Sequence, residues 1–187
     1  MAARQEKQAF RKKIRAEMQL IPDDYFHKAG TQMCRRVLES EAYHKAKVIF
    51  CFASHGKEPD TYPLLKQVLK DGKTLCLPLC KAQGEMDAKE VHSLAELTPG
   101  AYGIPEPAEN AGTILPSQID LAVIPCLAAT MNGKRLGKGG GYYDRFLAAY
   151  TGKAVLLCPK KLIQCDIPTE AHDIPLPWVI TEKEELP

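Results

Sequence analysis

The sequence predicts an α/β fold of three layers, with a mostly parallel sheet covered by helices on both faces in the Rossmann-like manner. Three observations predict it. Short apolar runs recur at KVIFCFA (47–53), KTLCLPL (73–79), IDLAVIP (119–125) and KAVLLC (153–158). Segments of helical spacing lie between them, YPLLKQVLKD among them. No Gly/Ser/Pro-rich stretch or charge block separates two apolar halves and no repeat is visible, so residues 1–187 read as one domain.

Taken in order, the first 20 residues read as a helix, because Phe10, Ile14 and Met18 share one face and Pro22 follows. A second helix is predicted from Asp23 or Asp24, acting as N-cap, to about Glu41, with Phe26, Ala29, Met33 and Val37 facing inward. Strands then alternate with helical stretches, and MDAKEVH supplies one further strand. Ligands of open α/β sheets bind outside the carboxyl ends of the strands. The loops after 47–53 and 119–125 are therefore where a site is expected.

Composition narrows the class. With 45% hydrophobic and 26% charged residues, the chain is of ordinary globular type and neither disordered nor fibrous. A net charge of +2 gives no global field of the sort that a nucleic acid or an anionic membrane would select. No apolar run approaches the roughly 20 residues that span a bilayer, and MAARQEKQAFRKKIRAEM alternates charge with apolar residues where a signal peptide would not. A cytoplasmic protein with no membrane and no nucleic-acid partner is expected. The seven cysteines contain no CxxC pair and mostly sit in apolar runs, which predicts reduced core thiols.

The chemistry concentrates in one segment. Lys134, Arg135, Leu136, Gly137, Lys138, Gly139, Gly140, Gly141, Tyr142, Tyr143, Asp144 and Arg145 put four cations and four glycines into twelve residues. Glycines let successive backbone N–H groups turn into one concavity, and a helix starting near Tyr142 would add its free N–H groups and positive dipole end. Such a loop suits phosphate. It is not a Walker A loop, because Tyr142 stands where Lys-Ser/Thr would follow the last glycine, and it is not a dinucleotide fingerprint, because Tyr142 also replaces the third glycine. Spacing alone leaves N-cap, salt-bridge and metal readings of Asp144 equally open. Tyr142 and Tyr143 can stack on a planar ring, although one of two adjacent tyrosines usually points into the core.

RLGKGGGYYDRFL resembles the signature of the 5-formyltetrahydrofolate cyclo-ligase family, also called 5,10-methenyltetrahydrofolate synthetases. KQAFRKKIR, KEPDT, GIPEP, IDLAVIPCLA and a late His-Asp pair extend the resemblance along the chain. It implies an enzyme in which ATP phosphorylates the formyl oxygen on N5 of a reduced folate, N10 attacks the activated carbon, and phosphate leaves to give the 5,10-methenyl product and ADP. By this resemblance Lys7 and Arg11 contact ATP phosphates, with Arg15 on the same stripe. Arg135 through Tyr143 hold the triphosphate and the reacting end of the substrate, Lys138 stabilises the phosphoryl group in flight with Arg135 beside it, and Glu58 meets the folate. Asp144 and Asp173 match two Mg²⁺-associated carboxylates. The implied partners are ATP with Mg²⁺ and 5-formyltetrahydrofolate, with or without a polyglutamate tail, and a monomer is the expected state.

Three positions depart from the family pattern. Ala171 stands where the late Glu-His-Asp begins, leaving His172 and Asp173 without an acidic neighbour. Tyr102, before GIPEP, stands where some members have a tryptophan as the stacking surface for folate, and Gly140 stands where some members have a lysine. The rival reading is another ATP-dependent kinase or ligase of an anionic small molecule, which would use the same loop and ignore folate.

Overall fold

The computed structural model describes residues 2–100, 103–183 and 185–186. Helices α1 (Ala2–Gln19), α2 (Asp23–Glu39) and α3 (Glu41–Lys45) precede strand β1 (Val48–Phe50), and α4 (Tyr62–Lys70) leads into β2 (Thr74–Cys80) and β3 (Met86–Val91). The short strands β4 (Thr98–Pro99), β5 (Pro105–Glu106) and β6 (Thr113–Ile114) follow, then β7 (Leu121–Ile124) and a hairpin of β8 (Ala128–Ala129) and β9 (Arg135–Leu136). Helix α5 (Tyr142–Ala148), β10 (Lys153–Leu157), β11 (Val179–Ile180) and β12 (Glu185–Leu186) complete the order.

Eight strands form the main sheet in the order β12-β11-β10-β7-β1-β2-β3-β6. The run from β11 to β2 is parallel, while β12, β3 and β6 add antiparallel edges. From β1 the chain winds outward through β2, and from β7 it winds the other way through β10 and β11. The two directions part between β1 and β7, which pair through Ile49↔Leu121 and Phe50↔Ala122. Crossovers of one hand then require helices on opposite faces.

The side chains sort accordingly, because successive residues of a strand face opposite ways. Phe50, Cys76, Ala122, Ile124 and Leu156 pack with Ile14 and Met18 of α1 and Phe146 and Leu147 of α5. Ile49, Leu75, Leu77, Leu121, Val123 and Val155 pack with Ala29, Met33 and Val37 of α2 and Leu64, Leu65 and Val68 of α4. These two cores, one on each face, make the predicted three-layer fold.

Local chemistry moves some boundaries. Helix α2 begins at Asp23 with Pro22 in the cap position and no side-chain cap, so Asp23 and Asp24 sit within its first turn rather than before it. There their charge favours the positive end of the helix dipole. The helix stops at Glu39, short of the expected Glu41, because Ser40 donates to Val37 O at 2.7 Å and accepts from Tyr43 N at 3.2 Å, ending α2 and starting α3. Cys34, Cys51, Cys76, Cys126 and Cys158 are buried free thiols as expected, but Cys80 is only partly covered and Cys165 is exposed. Among the described residues, no helix is long and apolar enough to cross a membrane.

Candidate active site

Both loops singled out by the sequence leave the sheet at the parting point between β1 and β7, where open α/β sheets place their ligands. The loop after β1 is held at both ends. Thr61, fully buried, donates to Phe52 O at 2.7 Å and accepts from Ser54 N at 3.1 Å, and its own N–H donates to Ser54 Oγ at 3.2 Å. Helix α2 crosses so closely at Gly30 that a Cβ there would lie 2.1 Å from Asp60 N. Lys57 Nζ reaches Ile21 O at 2.6 Å and Asp23 at 3.0 Å. Glu58 is thereby fixed, with one carboxylate oxygen accepting from His55 N at 2.9 Å.

Its other oxygen meets Lys138 Nζ at 2.5 Å. The carboxylate is largely buried and the ammonium half-exposed, so the pair bridges the two loops from the interior to the surface. Residues separated by 80 positions, each expected to touch a different substrate, thus touch one another.

The glycine loop has an unusual division of its backbone groups. Gly137 O accepts from Arg11 Nε at 2.9 Å, Lys138 O from Arg15 at 3.3 Å, Gly140 O from Arg145 Nη2 at 2.6 Å, and Gly141 O from Arg145 N at 3.1 Å. None of the N–H groups of Gly137, Lys138, Gly139, Gly140 or Gly141 has a partner among the described residues. Carbonyls held and donors free is the arrangement of an anion nest. Gly139 and Gly141 adopt φ of +109° and +71°, in the region that side chains disfavour. Gly140, which has no left-handed φ, leaves room instead for the Tyr142 ring, 2.5 Å from where its Cβ would stand.

Beneath the loop lies Arg135, buried, with Nη2 bonded to an Asp144 oxygen and its guanidinium 5.9 Å from the Tyr143 ring centroid. Arg135 Nε is buried and has no partner among the described residues. Leaving such a donor unmet costs about 1–3 kcal/mol, which singles out the position. Tyr143 packs inward, 6.3 Å from Phe50, and burial pushes its hydroxyl well above the usual phenol range. Tyr142 points outward and donates to Lys81 O at 3.3 Å. Tyr143 thus points into the core and Tyr142 does not, as expected of one of two adjacent tyrosines. Of the three readings of Asp144, the N-cap falls away, because Gly141 holds that place and Asp144 lies within the first turn of α5. The salt bridge forms, and the second carboxylate oxygen has no hydrogen bond among the described residues.

Helix α1 does not present an open cationic stripe. Lys7 is 4% exposed, donating to both Asp173 oxygens at 2.7 and 2.8 Å and to Glu170 at 3.0 Å. Asp173 also accepts from Glu170 N at 2.6 Å. Burial raises its carboxyl, but the bonds from Lys7 and the Glu170 N–H outweigh that and hold it below the usual carboxylate range. His172 stands 3.9 Å from Glu170 and 3.8 Å from Asp173, so Glu170 supplies the acidic neighbour that Ala171 does not. Burial and neighbouring Arg15 press Arg11 below its ordinary value, with Asp173, Glu170 and Asp144 opposing. Two loop cations also differ from expectation. Lys134 turns away to Asp166 at 2.6 Å, and the Arg145 guanidinium is spent on backbone carbonyls. Tyr102 lies outside the described residues.

No cluster of three or more His, Cys, Asp or Glu able to hold a metal ion occurs among the described residues. A hard cation here would draw most of its oxygens from phosphate and water, in the usual manner of Mg²⁺. Two surface hollows, of about 410 and 600 Å³, lie at the amino ends of the strands around Ala42 and Lys153 and contain none of these residues.

The chain resembles proteins of known name over nearly its whole length. The model of the 5-formyltetrahydrofolate cyclo-ligase family matches residues 3–182. The 5-formyltetrahydrofolate cyclo-ligase of Escherichia coli K12 is 30% identical over 174 residues, 90% of this chain and 96% of that protein. The mouse protein of the same name is 26% identical, over 94% of this chain and 93% of its own. Among solved structures, the 5,10-methenyltetrahydrofolate synthetase of Aquifex aeolicus superposes with a TM-score of 0.85 at 30% identity, covering 96% of this chain and 91% of that one. A second synthetase, from Mycoplasma pneumoniae, shares the fold with a TM-score of 0.73 at 18% identity. With a family match from residue 3 to residue 182 and a relative of that name 30% identical over 96% of its length, this chain belongs to the 5-formyltetrahydrofolate cyclo-ligase family.

Proposed function

We propose that the chain converts 5-formyltetrahydrofolate to 5,10-methenyltetrahydrofolate at the expense of ATP. The observation that carries this reading is the glycine loop, with its carbonyls held, its N–H groups free and Lys138 at its centre against Glu58. Free donors and a cation suit a polyphosphate, and a largely buried carboxylate suits the donor edge of a pterin.

The formyl oxygen on an amide-like nitrogen is a poor leaving group. Its attack on the γ-phosphorus forms an O–P bond as the bond to the ADP oxygen breaks. N10 then attacks the formyl carbon and gives up its proton, and the C–O bond breaks with its electron pair leaving on phosphate. Positioning and charge neutralisation do most of the work of phosphoryl transfer. Lys138 supplies a mobile positive charge at the loop, and folate binding to Glu58 weakens its hold on that charge. Arg135 supplies a fixed charge beneath, its unmet Nε available to a phosphate oxygen or a bridging water.

Mg²⁺, when bound with ATP, would neutralise phosphate charge. Asp144 fits it, since one of its oxygens is uncommitted among the described residues, whereas Asp173 is engaged by Lys7 through both. Asp144 is therefore assigned the metal-side role, and Asp173 that of anchoring α1. Arg11 is assigned to the loop backbone ahead of phosphate, and Tyr142 to the folate or adenine face. We assign the activity to a monomer in the cytosol, with a polyglutamate tail tolerated on the substrate.

The test is an absorbance assay with purified protein, 5-formyltetrahydrofolate, ATP and Mg²⁺. A near-ultraviolet methenyl band that grows only when both ATP and Mg²⁺ are present supports the reading. ATP binding without that band would assign the loop to another anionic substrate.

A further inference from the structure

The turn between β2 and β3 lies outside the glycine-rich signature, yet it meets the glycine loop directly. Arg145 Nε donates to Gly84 O at 2.8 Å while Nη2 of the same guanidinium donates to Gly140 O at 2.6 Å. Tyr142 makes a second link, to Lys81 O at 3.3 Å. Gly84 is at φ +78°, and a Cβ there would stand 1.5 Å from Arg145 Nη2 and 2.5 Å from Gly140 O. Backbone conformation and space both demand glycine at that position for the bridge to form.

Arg145 is exposed, so water could satisfy its guanidinium just as well. What the bridge adds is direction. In a trans peptide the C=O and the following N–H point opposite ways. Holding Gly140 O against Arg145 therefore turns the Gly141 N–H away from the β2–β3 turn. Arg11 on Gly137 O and Arg15 on Lys138 O do the same for the N–H groups of Lys138 and Gly139 from the α1 side. The loop is gripped along both flanks by its carbonyls, and its donors are left facing the space between.

We infer that Arg145 is a positioning residue for the phosphate loop and that Gly84 is its docking point, the two together aiming the loop's N–H groups at the ATP phosphates. This rests on the ATP-dependent reading above. The pair touches no substrate; it acts through the Gly140–Gly141 peptide.

The experiment measures affinity for a non-hydrolysable ATP analogue by calorimetry, and KM for each substrate, on the full-length chain. The variants are Arg145→Ala, Arg145→Lys, Gly84→Ala and the Arg145→Ala/Gly84→Ala double. Misplaced contacts at a phosphate site cost roughly tenfold to a hundredfold, so Arg145→Ala weakens the analogue by at least about tenfold and leaves the KM for 5-formyltetrahydrofolate little changed. Gly84→Ala repeats that pattern. The double variant binds no more weakly than the weaker single, because both substitutions break one bridge. Arg145→Lys recovers part of the loss, since an ammonium reaches one carbonyl but not two in a fixed fork. Should Gly84→Ala melt before assay temperature, the two Arg145 variants carry the test alone. Unchanged analogue affinity in Arg145→Ala, multiplying losses in the double variant, or equal rises in both KM values overturn the inference. A wild-type chain that fails to bind the analogue removes the ATP-dependent reading and the inference with it.

Discussion

Two ion pairs, Lys7–Asp173 and Arg135–Asp144, are finished to different degrees. In the Lys7–Asp173 pair both carboxylate oxygens accept from the ammonium, the Glu170 N–H adds a further bond, and Glu170 itself takes another from Lys7. In the Arg135–Asp144 pair one carboxylate oxygen is used, and the buried Arg135 Nε has no partner among the described residues. A densely bonded network rigidifies what it joins, here the start of α1 and the segment around Asp173. An incomplete one at the base of a donor-lined loop is what the proposed phosphate site rests on. Similar residue types are thus bonded to different degrees in the two places, and the proposed division into an architectural and a chemical pair rests on that difference.

Substitutions can break this contrast. Asp144→Asn keeps the shape of the incomplete pair and removes its charge, so the fold should persist while turnover falls by roughly a hundredfold, the usual effect of losing one electrostatic group at a reacting centre. Steady-state kinetics with a Mg²⁺ titration checks it, and an active variant with unchanged Mg²⁺ dependence would take Asp144 out of the mechanism. Lys138→Ala removes the mobile charge of the loop and should cost at least about tenfold in turnover. Wild-type kinetics there would mean that the phosphoryl group is stabilised elsewhere.

Asp173→Asn should act on stability instead, by about 2 kcal/mol, because it strips charge-assisted hydrogen bonds from a buried lysine. Urea unfolding measures this, and a variant as stable as wild type but inactive would move Asp173 to the chemical side of the comparison. The same pair makes a smaller prediction in pH. Asp173 is held below the usual carboxylate range in the folded chain, so its contribution to stability is fully present above the unfolded value of about 3.9 and disappears as pH falls through the lower folded value. The stability gap between wild type and Asp173→Asn should therefore be constant near neutrality and close below about pH 4. A gap that stayed open at low pH would place the stabilisation in something other than the charge.

Much of this was legible in the chain. The strands at 47–53, 73–79, 119–125 and 153–158 and the helix from Tyr142 declare themselves, because periodicity of burial and glycine chemistry are local properties. So was the end of the sheet at which the loops after β1 and β7 emerge, since alternation of strand and helix implies parallel strands with loops at their carboxyl ends. The two-residue strands β6, β11 and β12 at the sheet's flanks were not legible, because so short an element has no period and exists only through its neighbour.

Charge partners were the least legible part. Counting cations near the glycines grouped Lys134 with Lys138, and the family resemblance put Lys7 on the ATP phosphates, yet Lys134 turns to Asp166, Lys7 crosses 166 positions to Asp173, and Lys138 crosses 80 to Glu58. Nor does anything local mark Gly84, whose lack of room for a side chain arises from Gly140 on a distant loop and Arg145 on α5. By itself the sequence determined the layers, the parallel sheet and the end of the sheet at which the loops after β1 and β7 emerge, all consequences of short-range pattern. Only the tertiary structure decided which charges are satisfied and which stand ready. A long flexible side chain with several partners in reach takes the one that the packed fold brings to within about 3 Å, and no local spacing encodes that choice.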